Sequence, residues 1–274
     1  YALTGDLSKG PTWRWVDPHT DVLSQTPVID DEMNIYINTR GSRVYKFSPD
    51  GGKLWERFVP QGLIPSVPAL MDGTFFGNTA RGYVFALDME TGEEAWAVRV
   101  SPQIGVDSAC LLALGGMVIS AIGGSFEGNP AVMALHAANG SAAWTFNLTG
   151  GFKLYNFQAS SPGDGTLVFQ DSAGGLYKLA MGSGELLWQS GLADKRLDFF
   201  STGAAVVGPN GLVYVASNLG PPTIAASGLI HAYRLSTGAP VWQRDTLAAN
   251  QGVAVGRLAG SEGLSVVAGV GANP

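Results

Sequence analysis

The chain has 274 residues, of which 46% are hydrophobic and only 14% charged, with 38 glycines and 15 prolines. This composition excludes a disordered protein and favours many short buried strands joined by tight turns. A formal net charge of −6 argues against non-specific binding to nucleic acid. No apolar run is long enough to cross a bilayer as a helix, and the single cysteine, Cys110, excludes an internal disulfide.

Copies of one unit recur along the chain. A degraded copy, YALTGDLSKGPTW, comes first, and clear copies include GYVFALDMETGEEAW and GLYKLAMGSGELLW. The tryptophans that close the six copies, at intervals of 42, 41, 48, 44 and 54 residues, are Trp13, Trp55, Trp96, Trp144, Trp188 and Trp242. A period of this length indicates a repeat array in which each unit buries its apolar faces against its neighbours.

One unit shows how a repeat folds. In Tyr83–Leu87 the alternate residues are apolar on both sides, which is typical of a strand buried between two sheets. The stretch Asp88–Gly92 predicts a hairpin turn, with Gly92 supplying a positive φ. Trp96 follows on the next strand, where an indole can cover the seam between adjacent sheets. We therefore predict that all six repeat tryptophans are structural residues at blade seams.

Taken in order, the units predict an all-β protein, a six-bladed β-propeller of four-stranded antiparallel blades that forms a single domain over 1–274. Five blades span about 25–59, 66–100, 107–148, 157–192 and 202–247. The sixth is expected from 251–274 together with 1–16, so that the two termini close the ring and remove exposed sheet edges. The alternative is a piece of a larger ring of seven or eight blades.

The pattern of an aromatic residue, leucine, glycine and tryptophan resembles the pyrroloquinoline-quinone (PQQ)-type repeat. The two closest matches are Tyr83, Leu87, Thr91, Gly92 and Trp96, and Tyr177, Leu179, Gly184 and Trp188. That family includes quinoprotein dehydrogenases, the propeller lipoprotein that assists outer-membrane assembly, and lumenal domains of stress-sensing kinases. Its alcohol dehydrogenases carry adjacent cysteines beside the quinone, whereas this chain has Cys110 alone. The resemblance therefore implies the non-catalytic branch, similar to the assembly lipoprotein, with no cofactor.

Charged loop residues separate onto two faces of the predicted propeller. Turns joining strands one and two or three and four carry mostly acids, among them Asp30, Asp31 and Glu32. The opposite face receives basic and aromatic loop residues of the kind enriched at binding hot spots. The candidate partner-binding residues are Arg40, Arg81, Lys153, Tyr155, Lys195 and Arg196. The alternative is that the acidic turns are only solvated and that Phe199 and Phe200 begin a strand.

No motif for catalysis or metal binding accompanies this face. The three histidines do not pair at metal-ligand spacing, and no nucleophile elbow or phosphate loop is present. We therefore expect a non-enzymatic scaffold that binds protein partners outside the cytoplasm. The alternatives are a small PQQ-dependent oxidoreductase and an architectural subunit of a complex or filament. Two glycosylation sequons, at Asn139 and Asn147, weakly favour a secretory route.

Overall fold

The structure, a computed structural model, describes residues 13–22, 26–104, 110–122, 131–148, 154, 156–191, 199–200, 204–219, 227–249, 252–258, 260 and 262–271. Within these residues the regular elements are 22 β-strands, β1 to β22, and the strand pairs are antiparallel. The all-β prediction is confirmed. No helix in the described part of the chain has the length and apolar character needed to span a membrane.

Three four-stranded meanders come first. Blade 1 consists of β1 (Val28–Ile29), β2 (Ile35–Asn38), β3 (Arg43–Phe47) and β4 (Lys53–Phe58). Blade 2 consists of β5 (Ala69–Met71), β6 (Thr74–Asn78), β7 (Tyr83–Asp88) and β8 (Glu94–Arg99). Blade 3 consists of β9 (Leu112–Leu114), β10 (Met117–Ile122), β11 (Ala131–His136) and β12 (Ala142–Asn147).

The next two blades are less regular. Blade 4 has β13 (Thr166–Gln170), β14 (Leu176–Ala180) and β15 (Leu186–Ser190), with a single bridge from Ser160 to Val168 in place of a first strand. Pro162 lacks an N–H, and the Ser161 hydroxyl donates to the Thr166 carbonyl, which explains why that ladder ends. Blade 5 has β16 (Phe199–Phe200), β17 (Ala205–Val207), β18 (Leu212–Leu219), β19 (Gly228–Arg234) and β20 (Pro240–Thr246), with β16 and β17 both paired to β18.

The hydrophobic core lies between the blades. Phe85 and Leu87, on one face of β7, pack with residues of blade 1. Val84 and Ala86, on the other face, pack with residues of blade 3. Both faces of this strand are therefore buried, as its apolar pattern predicts. Similar clusters join blade 3 to blade 4, blade 4 to blade 5, and blade 5 to the last sheet, so the blades stack in chain order.

The two ends of the array differ. The last sheet has only β21 (Ala254–Gly256) and β22 (Ser265–Val267). At the other end, Trp13 and Trp15 pack on the free face of blade 1, where residues 13–17 form no strand. Among the described residues no strand pair joins these two ends, and the predicted strands of 1–12 lie outside the described ranges. The blade count and the closure of the ring therefore stay predictions.

Candidate functional site

Five of the repeat tryptophans in the described part of the chain donate an indole hydrogen bond to the blade that follows. Trp96 Nε1 donates to the Ala137 carbonyl at 2.8 Å, and Trp144 Nε1 donates to the Met181 carbonyl at 2.7 Å. The acceptor lies in the turn between the third and fourth strands of the next blade, and in four of the five cases it is the first residue after the third strand. The remaining bonds run from Trp13 to Pro49, Trp55 to Met89 and Trp188 to Leu235, at 3.1, 3.1 and 3.0 Å.

The glycine of the same turn gives the indole its space. Gly140 has φ +72°, and a Cβ built on it would lie 2.6 Å from the ring of Trp96. Gly184 has φ +71°, and its Cβ would lie 2.6 Å from the ring of Trp144. The repeat glycine therefore has two roles. It adopts the positive φ that the turn requires, and its lack of a side chain leaves room for the tryptophan ring of the preceding blade. We call this carbonyl and glycine the receiving turn.

Trp242, the sixth repeat tryptophan, lies at the seam between blade 5 and the last sheet. Its ring is 5.8 Å from that of Tyr214, and it packs with Val255 and Val266 of β21 and β22. By the repeat pattern its receiving turn would fall within residues 1–12, which lie outside the described part of the chain.

The acidic turns of blades 1 and 2 surround a cavity of about 580 Å³. Lys46 is the basic residue in its wall, and the acids around it are Asp30, Asp31, Glu32, Asp88 and Glu90. Lys46 is 8% exposed, and its Nζ donates to the Met89 carbonyl at 2.9 Å, the same carbonyl that receives Trp55. The Lys46 ammonium group therefore neutralises part of the acidic charge around the cavity, and its hydrogen bond to the Met89 carbonyl fixes it at the seam between blades 1 and 2.

Asp30 lines the acidic cavity and also contacts Tyr36 of the hydrophobic core. Its Oδ2 accepts from the Tyr36 hydroxyl at 3.0 Å, and its Oδ1 accepts from the backbone N–H of Asn34 at 2.8 Å. Burial raises the pKa of Asp30, but these hydrogen bonds and the charge of Lys46 outweigh burial and lower it overall. The carboxylate is therefore held ionised as a structural acceptor of the seam.

The opposite face carries Arg40 and Arg81, both exposed, in the turns between the second and third strands of blades 1 and 2. Neither arginine forms an ion pair with a described residue. The two candidates thus lie in equivalent turns of adjacent blades but one residue apart in register, since Arg40 corresponds to Ala80. The other four candidates, Lys153, Tyr155, Lys195 and Arg196, lie outside the described residues.

The turn between the second and third strands of blade 4 belongs by its position to this face, but its aspartate is buried. Asp171 is 0% exposed and accepts from the Tyr177 hydroxyl at 2.7 Å and from the backbone N–H groups of Ala173 and Gly175. It does not dilute the surface charge as its loop position suggests. Nothing in the sequence distinguishes this aspartate from a solvated one, apart from the tyrosine six residues later.

The two sequon asparagines are exposed. Asn139 Oδ1 accepts from both the backbone N–H and the hydroxyl of Ser141, at 3.0 and 2.8 Å. Its side chain is therefore held in the β11–β12 turn. Asn147 ends β12, and the threonine of its sequon lies outside the described residues.

Sequence reasoning missed a layer of polar side chains at the ends of the second strands. Asn38 Nδ2 donates to the Ser66 carbonyl at 3.1 Å, and Gln170 Nε2 donates to the Ser217 hydroxyl at 3.2 Å. Asn38 and Gln170 are 2% and 1% exposed. Each bond crosses from one blade to the next. The signal available in the sequence was the Asn-Thr pair shared by Asn38-Thr39 and Asn78-Thr79.

Metal and thiol chemistry have no candidate site among the described residues. No group of three or more His, Cys, Asp or Glu side chains there could hold a metal ion. Burial raises the pKa of the Cys110 thiol, despite a hydrogen bond from Gln158. The cysteine therefore lacks the lowered pKa that a nucleophilic thiol requires.

Meander sheets stacked face to face, with an indole and a receiving turn at five seams of the described residues, define a β-propeller built from PQQ-like repeats. The sequence resemblance is confirmed at this level. A family model described as outer membrane protein assembly factor BamB matches residues 40–218 and 125–271, well over half of the chain. The chain therefore belongs to that family.

Solved structures agree on the fold. BamB from Moraxella catarrhalis is 19% identical with a TM-score of 0.64, over 84% of this chain and 66% of that one. A europium-containing methanol dehydrogenase is 13% identical with a TM-score of 0.68, over 82% and 51%. The computationally designed Ika8 protein is 15% identical with a TM-score of 0.62, over 89% and 67%.

These identities show the fold alone, because one fold supports unrelated functions. The chain spans less than two thirds of the length of the BamB structure and about half of the dehydrogenase. No curated protein sequence matches the chain significantly.

Proposed function

We propose that this chain is a non-enzymatic scaffold that binds protein partners during assembly of outer-membrane proteins. The family to which it belongs is described as an outer membrane protein assembly factor. The observation that carries the proposal is the pair of exposed arginines, Arg40 and Arg81, at equivalent turns of adjacent blades with no ion pair among the described residues. Arginine is enriched at protein interfaces, where its planar group binds carboxylates in two-point contacts. The proposed site of action is extracytoplasmic.

The test uses an unfolded outer-membrane β-barrel protein diluted from denaturant into the purified chain. We expect a soluble complex on size exclusion with light scattering. Charge reversal at Arg40, Arg81, Lys153, Lys195 and Arg196 should weaken that complex. The matched control reverses Lys53, which is half-exposed on β4 away from this face. Equal capture by both variants would remove this face from the proposal, and no capture by the unchanged chain would overturn the function itself.

A PQQ-dependent oxidoreductase is the second candidate. It is kept as a candidate because the europium-containing methanol dehydrogenase shares the fold, with a TM-score of 0.68. Titration with quinone and calcium or a lanthanide separates the two functions. The scaffold proposal expects no change in the quinone absorbance and no reduction of an electron-accepting dye in the presence of alcohols. A stoichiometric spectral change with dye reduction would favour the enzyme.

We also propose that the ring has six blades and that residues 1–12 supply the missing strands of the last sheet. The support is the repeat pattern: Trp13 already contacts the receiving turn of blade 1, as the tryptophan of a preceding blade would. Alignment of YALTGDLSKG with the β7 unit puts Thr4 opposite Val267 and the Leu7 carbonyl beside Trp242. Val267 is 48% exposed in the structure, and such a partner would cover it.

Cross-linking tests the closure. In a Cys110→Ala background, Thr4→Cys with Val267→Cys should form a disulfide within one chain under mild oxidation. The control pairs Thr4→Cys with Val241→Cys on the outer strand β20, where no bond is expected. A cross-linked dimer, or no bond in either pair, would contradict closure within one chain. An intact mass above that of 274 residues for the native protein would favour the larger ring.

A further inference from the structure

The turns that carry Arg40 and Arg81 are covered by incoming chain segments in the same way. In blade 1 the backbone N–H of Arg40 donates to the Val22 carbonyl at 3.0 Å, and the Thr39 hydroxyl donates to Asp21 Oδ2 at 3.1 Å. Val22 is 61% exposed. The chain thus brings an exposed aliphatic side chain beside an exposed arginine.

Blade 2 repeats this arrangement. The backbone N–H of Ala80 donates to the Leu63 carbonyl at 2.8 Å, and the Thr79 hydroxyl donates to the Gln61 carbonyl at 3.2 Å. Leu63 is 49% exposed and lies beside the turn that presents Arg81. Single exposed aliphatic residues are ordinary on protein surfaces. Both turns nevertheless combine an exposed arginine with an exposed aliphatic residue of the covering segment, although Arg81 comes one residue after the position equivalent to Arg40.

The stem of Arg81 lies against the backbone of Gly62. A Cβ built on Gly62, at φ +121°, would be 3.0 Å from Arg81 Cδ and 3.1 Å from its Cγ. The arginine therefore extends from the turn over the segment that also carries Leu63. Its orientation depends on Gly62 having no side chain.

The charges of this surface are nearly free of internal compensation. Arg43, Lys53, Arg57 and Lys178 each have a carboxylate within 3.6 Å. Arg40 and Arg81 have none among the described residues. Asp21 contributes a carboxylate beside the blade 1 turn, and its Oδ2 accepts from the Thr39 hydroxyl. Two guanidinium groups are thus available to a carboxylate from another molecule.

We propose that Val22 with Arg40 and Leu63 with Arg81 form one docking surface for an extended protein segment in which carboxylate and aliphatic side chains alternate at every second residue. The inference rests on the proposed scaffold function and specifies its partner chemistry. Aliphatic side chains of the segment contact Val22 and Leu63, and its carboxylates bind the two guanidinium groups. In an extended segment successive side chains point to opposite sides, so only every second residue meets this surface. Carboxylate and aliphatic side chains must therefore alternate at every second position, as in the repeat Glu-Ser-Leu-Ser.

Fluorescence anisotropy with short labelled peptides tests the chemistry. A peptide with the repeat Glu-Ser-Leu-Ser, called the Glu-Leu peptide, should bind. Peptides with Lys in place of each Glu, or Ser in place of each Leu, should bind at least about tenfold more weakly. Raised salt should weaken the Glu-Leu peptide, since the guanidinium groups are exposed. Equal binding of all three peptides would overturn the inference.

Variants test the location. Arg40→Gln with Arg81→Gln should lower affinity for the Glu-Leu peptide about tenfold, and Val22→Ser with Leu63→Ser should do so similarly. Gly62→Ala should weaken binding without removing a charge, because the added Cβ displaces Arg81. The matched control is Arg234→Gln, an exposed arginine at the β19–β20 turn on the opposite face. An equal loss in the control would contradict the proposed surface.

The two levels of the proposal fail differently. If the chain captures an unfolded barrel protein but the Glu-Leu peptide neither competes with it nor responds to the Arg40 and Arg81 variants, the docking surface is wrong and the scaffold function stands. If the peptide binds at this surface while no barrel protein is captured, the docking surface stands and the assembly function is wrong.

Discussion

Blades 1 and 4 carry the same Tyr-Lys pair at the same place on the third strand, Tyr45-Lys46 and Tyr177-Lys178, but surround it differently. Both lysines reach the receiving-turn carbonyl of the next blade, Lys46 at 2.9 Å and Lys178 at 3.5 Å. Blades 2, 3 and 5 have alanine at this position. A buried lysine is therefore an optional addition to a seam that the indole and glycine already form.

The carboxylates that hold the two tyrosines also differ. The Tyr45 hydroxyl donates to Asp17, which comes from the N-terminal segment, whereas the Tyr177 hydroxyl donates to Asp171 in a turn of its own blade. Both distances are 2.7 Å. Blade 1 therefore depends on the N-terminal segment for this contact, and blade 4 does not.

The largest effect is expected from removing an indole. Trp55→Ala and Trp188→Ala should each lower the free energy of unfolding by about 3–5 kcal/mol, since both lose a large, partly buried ring and its hydrogen bond. Urea denaturation followed by far-ultraviolet circular dichroism measures this loss. A loss under about 1 kcal/mol in either variant would show that the indole does not stabilise that seam.

Substitution of the glycines in the receiving turns should have the second-largest effect on the free energy of unfolding. Gly92→Ala and Gly238→Ala put a Cβ 2.9 and 2.7 Å from the ring of Trp55 or Trp188, at φ +74° and +70°. We expect a loss of about 2–3 kcal/mol from the unfavourable φ and the displaced ring. Gly182→Ala, in the β14–β15 turn, is the matched control, because its Cβ would meet nothing within 4 Å. An equal loss in the control would contradict the double role of the glycine.

Lys46 and Lys178 should contribute differently to the stability of blades 1 and 4. Lys46→Ala should cost about 2 kcal/mol, because it removes a short hydrogen bond and a side chain over the Tyr36 ring. Lys178→Ala should cost about 1 kcal/mol, since its hydrogen bond is long and Asp164, 3.6 Å away, is half-exposed. Lys46→Met, which keeps the stem, should be milder than Lys46→Ala. A larger loss in blade 4 would reverse this comparison.

The sequence predicts the features that repeat. The strands, the two buried faces of β7 and the positive φ of Gly92 follow from local alternation and turn chemistry. It does not show which indole meets which glycine, because that contact joins Trp55 to Gly92 of the next copy rather than glycine and tryptophan of one copy. Asp171 was also beyond local pattern, since its burial depends on how the turn folds back over Tyr177.

At the candidate site, the sequence predicts the face that carries Arg40 and Arg81, because turn position follows from strand order. The partnering of these residues with Val22 and Leu63 comes from segments that cross the turns from outside the repeat. Such crossings have no periodic signal. The proximity of the aliphatic and basic side chains therefore cannot be predicted from the repeat pattern.

The subtlest difference between blades 1 and 4 is their pH dependence. Burial raises the pKa of Asp17, but hydrogen bonds from Tyr45 and from the backbone of His19 and Asp21 outweigh it and lower the pKa overall. Burial also raises the pKa of Asp171, and there it outweighs the hydrogen bonds, so the pKa stays above its ordinary value. The exposed fractions agree, at 7% for Asp17 and 0% for Asp171.

The opposite pKa shifts of Asp17 and Asp171 predict opposite pH dependences of their contributions to the stability of the fold. A lowered pKa stabilises the fold above the unfolded value of about 3.9 and loses that contribution as pH falls through the folded pKa. A raised pKa stabilises the fold below about 3.9 and loses that contribution as pH rises through the folded pKa. Asp17→Asn should therefore cost more at pH 7 than in acid, and Asp171→Asn should cost more in acid than at pH 7. Urea denaturation of both variants between pH 3 and pH 7 measures this, and a shared sign would show that the two tyrosine contacts are equivalent after all.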